Sequence, residues 1–166
     1  MTALAGSLLF IAWAAAVAVC DLRSRRIANS LVLAGLVGAF ACAFAGGYPF
    51  GVAPAGAALG AVVGLLALLP FFMLRVMGAA DVKVFAVLGA WCGVHALPGL
   101  WLAASLLAGL HAALLLAATR TRIATIVRRG GPTFEWQGHR ATPYATCLTL
   151  SALACLAMHV MEGAAR

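Results

Sequence analysis

The chain has 166 residues, 65% of them hydrophobic and only 9% charged, with a formal net charge of +7. Soluble globular domains carry about 25% charged residues, so the composition excludes an ordinary water-soluble fold and predicts an all-α integral membrane protein. In such a protein an excess of Lys and Arg reports orientation first and attraction to anionic lipid second, and nucleic acid is not an expected partner.

Apolar runs fall at about 3–20, 31–47, 53–74, 82–97, 99–118 and 143–161. Each is near the length of about 20 residues that spans a bilayer, so we expect one domain over 1–166 built as a polytopic bundle of about six transmembrane helices. No basic residue precedes the first run, and Arg23, Arg25 and Arg26 follow it. That order is the reverse of a secretory signal and predicts a retained first helix with its N-terminus outside. The segment 45–51, AGGYPFG, predicts a turn with Tyr48 at interface depth. In the third run Gly56, Gly60 and Gly64 recur every four residues, either as a close-packing seam or as a consequence of a glycine-rich composition. The fourth and fifth runs meet at HALPG, where Pro98 and Gly99 predict the turn. His111 lies midway along the fifth run and is expected to be a packed neutral histidine, whereas His95 and His159 fall toward the outer face. Between the fifth and sixth runs, residues 119–142 interleave arginines with Ile123, Ile126 and Val127. That pattern predicts an interfacial basic helix ending near Gly130 and Gly131 and touching lipid.

With six spans, the loops carrying Arg23, Arg25 and Arg26, then Arg75 and Lys83, then Arg120, Arg122, Arg128, Arg129 and Arg140 all fall on one face. The positive-inside rule makes that face cytoplasmic and puts both termini outside. Five cysteines, Cys20, Cys42, Cys92, Cys147 and Cys155, form no C-x-x-C pair. They read as small buried hydrophobes, and neither a metal site nor a cofactor is expected.

Against this background two residues stand out. The chain has four acidic residues, Asp21, Asp81, Glu135 and Glu162, so Asp21 and Asp81 are its only aspartates. Two membrane crossings separate them, which returns both to the cytoplasmic face, where they become neighbours if the first and fourth helices pack together. Asp21 is open to a plain reading as a juxtamembrane residue, and Asp81 to one as the cap of the fourth helix. The other reading is a carboxylate dyad. Two carboxyl groups one hydrogen bond apart share a proton, so one activates water as general base while the other donates to a peptide carbonyl.

The surrounding residues favour the second reading. GAADVKVFAVLGAW (78–91) resembles the G-x-G-D signature of the type IV prepilin peptidases. DLRSRRIANSLVL (21–33) resembles their first-aspartate segment, and ATPYATCLTLSAL (141–153) the Pro-Tyr segment that starts their last helix. The resemblance implies an intramembrane aspartic endopeptidase that removes the leader of a prepilin at the cytoplasmic face of the bacterial inner membrane. Asp21 and Asp81 match its catalytic pair, and Gly78 matches the first motif glycine. Ala80 stands where the family has its second glycine, and Ala28 where a proline is common. Without paired C-x-x-C motifs, the chain is similar to the short, peptidase-only members found with tight-adherence (Flp-type) pilus systems, for which methylation is not expected. The implied partners are the prepilin, with its leader and hydrophobic helix, membrane lipid and the pilus-assembly machinery. Lys83 either snorkels to the interface, which we favour, or stabilises an ionised acid, and Asn29 either bonds near the site or only starts the second helix. An acid-coupled transporter and an inactive assembly scaffold are the rival expectations.

Overall fold

A computed structural model of the chain describes residues 3–24, 26–46, 49–120 and 143–164. Among these residues the protein has six α-helices and a short 3₁₀ turn. They are α1 (Ala3–Ser24), α2 (Asn29–Phe44), α3 (Pro54–Met73), α4 (Ala79–Cys92), the 3₁₀ turn Val94–Ala96, α5 (Leu97–Arg120) and α6 (Tyr144–Ala164). Helices are the structure such a sequence allows, because lipid offers the backbone no hydrogen-bond partner and an α-helix satisfies its own. Segments of α1, α3, α5 and α6 are long and apolar enough to cross a membrane, and α2 is a shorter apolar helix. The protein is a polytopic helical membrane protein. The basic helix expected within 119–142, the interface position of Tyr48, and Arg25 lie outside the described residues.

The core forms around α4, in which every residue from Val84 to Cys92 is buried. A helix apolar on all sides belongs in the interior of a bundle. With 14 residues it is about 21 Å long, short of the hydrocarbon thickness, but its neighbours shield it from lipid. The outer helices show the reverse pattern, with Leu4, Leu8, Leu59, Leu66, Leu106 and Leu110 all exposed on the bundle surface. In a membrane those faces meet acyl chains.

Small residues set the closest approach in the bundle, that of α3 to α4. A Cβ added at Gly60 would overlap the Gly89 carbonyl, and one at Gly64 would come 2.9 Å from the carbonyl oxygen of Phe85. The seam therefore comprises Gly60, Gly64 and Gly89. Gly56 is not part of it, since a Cβ there would meet only Val52 of the preceding segment.

Three expectations need correction: His111, expected to be packed, is exposed on α5, and the other two concern the ends of α4. The turn between the fourth and fifth runs lies earlier than Pro98–Gly99. Gly93 ends α4 with φ +76°, the 3₁₀ turn follows, and Pro98 and Gly99 sit inside the first turn of α5. Proline is accommodated there because the first N–H groups of a helix lack intrahelical partners anyway. Asp81 is also not the cap of α4. Gly78 caps the helix in extended backbone, and Asp81 lies three residues on, within the first turn.

Candidate active site

Asp21 belongs to the last turn of α1 and is only 7% exposed. A helix C-terminus disfavours a carboxylate, so the compensation comes from another element. Thr146, in the first turn of α6, donates to Asp21 Oδ2 from both its backbone N–H and its Oγ1, each at 2.8 Å. The N–H groups that open a helix have no intrahelical acceptors and carry the positive end of its dipole, so the N-terminus of α6 is a place that accepts an anion.

Asp81 reaches the same place from α4. Its carboxylate accepts backbone hydrogen bonds from Gly78 and from Ala145, the residue next to Thr146. The bond to Gly78 is the half of a capping box in which a side chain in the first turn reaches back to the N-cap amide. A Cβ on Gly78 would stand 3.2 Å from Asp81 Oδ2, so glycine lets the chain pass close beside the carboxylate. Consecutive residues of one helix terminus thus hold the two aspartates, 60 positions apart in sequence. The first and fourth helices do meet, through Phe10 and Trp91 with ring centroids 5.2 Å apart. At the acidic end, however, α6 is the element that joins the pair.

Asp81 precedes the apolar run of α4. Burial, first, and the charge of Asp21, second, push its carboxyl up from 3.8 to about 6, against the two backbone hydrogen bonds. A carboxyl so placed keeps its proton well above the usual range beside a second carboxyl. Asp81 is therefore the carboxyl of the two that is placed to carry a proton near pH 6.

The remaining candidates divide between this site and its surroundings. Ala80 packs against the hydrophobic core. Lys83 lies two positions beyond Asp81, about 200° around the helix, and donates from Nζ to Asn29 Oδ1 at 2.8 Å. That bond ties α4 to the first residue of α2. The base of α6 is itself braced. The hydroxyls of Ser105 and Tyr144 share a 3.1 Å hydrogen bond that links α5 to α6. Thr149 and Ser151 turn their buried hydroxyls onto the carbonyls of Thr146 and Cys147. Ala145 and Thr146 were not singled out in the sequence, where the Pro143–Tyr144 pair opening the last run was the only local signal. Among the described residues no group of three or more His, Cys, Asp or Glu side chains is placed to hold a metal ion.

A family model described as the type IV leader peptidase family matches residues 8–113, well over half of the chain and inclusive of both aspartates. Neither a curated protein nor a solved structure was found to match. The match agrees with the motifs read around Asp21 and Asp81, and the chain belongs to the type IV leader peptidase family.

Proposed function

We propose that the protein is an intramembrane aspartic endopeptidase in which Asp21 and Asp81 activate water to cut the leader from a prepilin, of the tight-adherence (Flp) type, at the cytoplasmic face. One observation carries this reading. The only two aspartates of the chain are held by adjacent backbone N–H groups, those of Ala145 and Thr146. An ion pair or a simple helix cap gives no reason to bring two like charges together at a buried position, where each raises the cost of the other.

The chemistry needs no covalent intermediate. The ionised carboxylate takes a proton from water, and the resulting hydroxide attacks the scissile carbonyl. The protonated carboxyl donates to that carbonyl oxygen and so meets the negative charge that develops on it. Collapse of the tetrahedral species passes a proton to the leaving amine, and the pair returns to sharing one. Orientation follows from charge. Arg23, Arg26, Arg75 and Lys83 flank the ends of α1 and α4 that carry the aspartates, which by the positive-inside rule face the cytoplasm. The described sequence holds no C-x-x-C pair, so methyl transfer is not part of the proposal.

The test is the mass of an Flp-type prepilin co-expressed with the protein. The wild type shortens it by its leader, and Asp21→Asn or Asp81→Asn each leave it full length. Complete processing by either variant contradicts the dyad.

A further inference from the structure

The dyad accounts for the two aspartates but assigns no part to the side chains of α6, and one of them is unusually committed. Thr146 is 8% exposed and places two donors, the backbone N–H and the hydroxyl, on a single oxygen of Asp21. A backbone N–H alone holds that oxygen from one direction and leaves the carboxylate free to rotate about its broad terminal torsion. The hydroxyl adds a second direction and fixes the plane of the group. Thr146 is held in turn, because its carbonyl accepts a 2.9 Å hydrogen bond from Oγ1 of the fully buried Thr149.

We propose that Thr146 is the positioning residue of the pair, fixing Asp21 through Oδ2 so that Oδ1 is the oxygen that meets the water. The assignment rests on the aspartic reading above and deepens it. Thr146 touches neither water nor peptide in this scheme and acts through Asp21 alone. Because its neighbour Ala145 holds Asp81, a turn of α6 that moved one aspartate would move the other with it. The spacing of the dyad is thereby tied to the seat of one helix end rather than to direct packing of α1 on α4.

Three purified variants test this against a Flp-type prepilin. Thr146→Val keeps the shape and the backbone N–H but removes the hydroxyl, Thr146→Ser keeps the hydroxyl, and Asp21→Asn serves as the control. Misplacing a catalytic group costs on the order of 10- to 100-fold. We therefore expect Thr146→Val to lose about that factor in kcat with KM for the prepilin unchanged within about twofold, and Thr146→Ser to stay within about threefold of wild type. Should Thr146→Val not accumulate as folded protein, Thr146→Ala is read in the same way. Wild-type kcat in the hydroxyl-free variant, with Asp21→Asn inactive, overturns the role of Thr146 and leaves the dyad standing. Equal losses in the Ser and Val variants that follow the amount of folded protein overturn it too, by reducing Thr146 to packing. Cleavage by Asp21→Asn overturns the dyad itself.

Discussion

At one end of the bundle Phe10 packs on Trp13, Phe50 and Trp91, with ring centroids 6.1, 5.1 and 5.2 Å away. At the other end, about 15 Å along α4 by helical rise, Asp21 and Asp81 meet the amides of Ala145 and Thr146. The aromatic end is what an apolar bundle is expected to contain. Its rings fill space, and the indole N–H groups of Trp13 and Trp91 are satisfied by the carbonyls of Leu31 and Gly35 at 2.9 and 3.0 Å. The acidic end runs against local stability, since it sets a carboxylate in the last turn of a helix, buried and close to another carboxylate. A fold accepts such an arrangement at a functional site and compensates for it elsewhere. Here the compensation has two parts, the terminus of α6 locally and the glycine seam and aromatic cluster at a distance.

If the two ends have these separate duties, they respond differently to substitution. The largest structural effect is expected at the seam that seats α4. Gly60→Leu would push α3 from α4 at the Gly89 carbonyl and cost about 3 kcal/mol, read as a fall in thermal midpoint, with cleavage lost in step with folded protein. A pH series probes the other end. With Asp81 pushed up to about 6, the shared proton is present below that pH and lost above it. kcat/KM should then fall about tenfold per unit as pH rises past 6. A profile flat from pH 5 to 8 would show that the pair does not work through a shared proton. The smallest effect is expected from Trp91→Phe, which removes the hydrogen bond to Gly35. It should cost about 1 kcal/mol of stability and leave kcat unchanged, and a loss of kcat there would erase the distinction between the ends.

Much of this architecture was legible in the sequence because hydropathy and charge are one-dimensional signals in a membrane protein. The six apolar runs correspond to the six helices among the described residues, and the parity of crossings led to the expectation that Asp21 and Asp81 share one face. The end of α4 was not legible. The apolar run continues from Val84 to Leu97 with no polar break except His95, and only the backbone at Gly93, with φ +76°, shows where the helix stops. The partner of the Gly60–Gly64 seam was hidden for a different reason, since Gly89 acquires its role only once α3 and α4 are packed against each other. Thr146 was the least legible. A threonine early in an apolar helix is unremarkable in sequence, and its function exists only once α6 is seated against α1. The motifs around the aspartates were visible because they are local, and what holds the aspartates together is not.

The separation of the two ends is tested most directly by measuring leader cleavage and thermal unfolding on the same purified Asp21→Asn protein. The account predicts cleavage reduced on the order of a thousandfold or more, with an unfolding midpoint close to that of the wild type. Cleavage at the wild-type rate by a protein that unfolds at the wild-type temperature would contradict it.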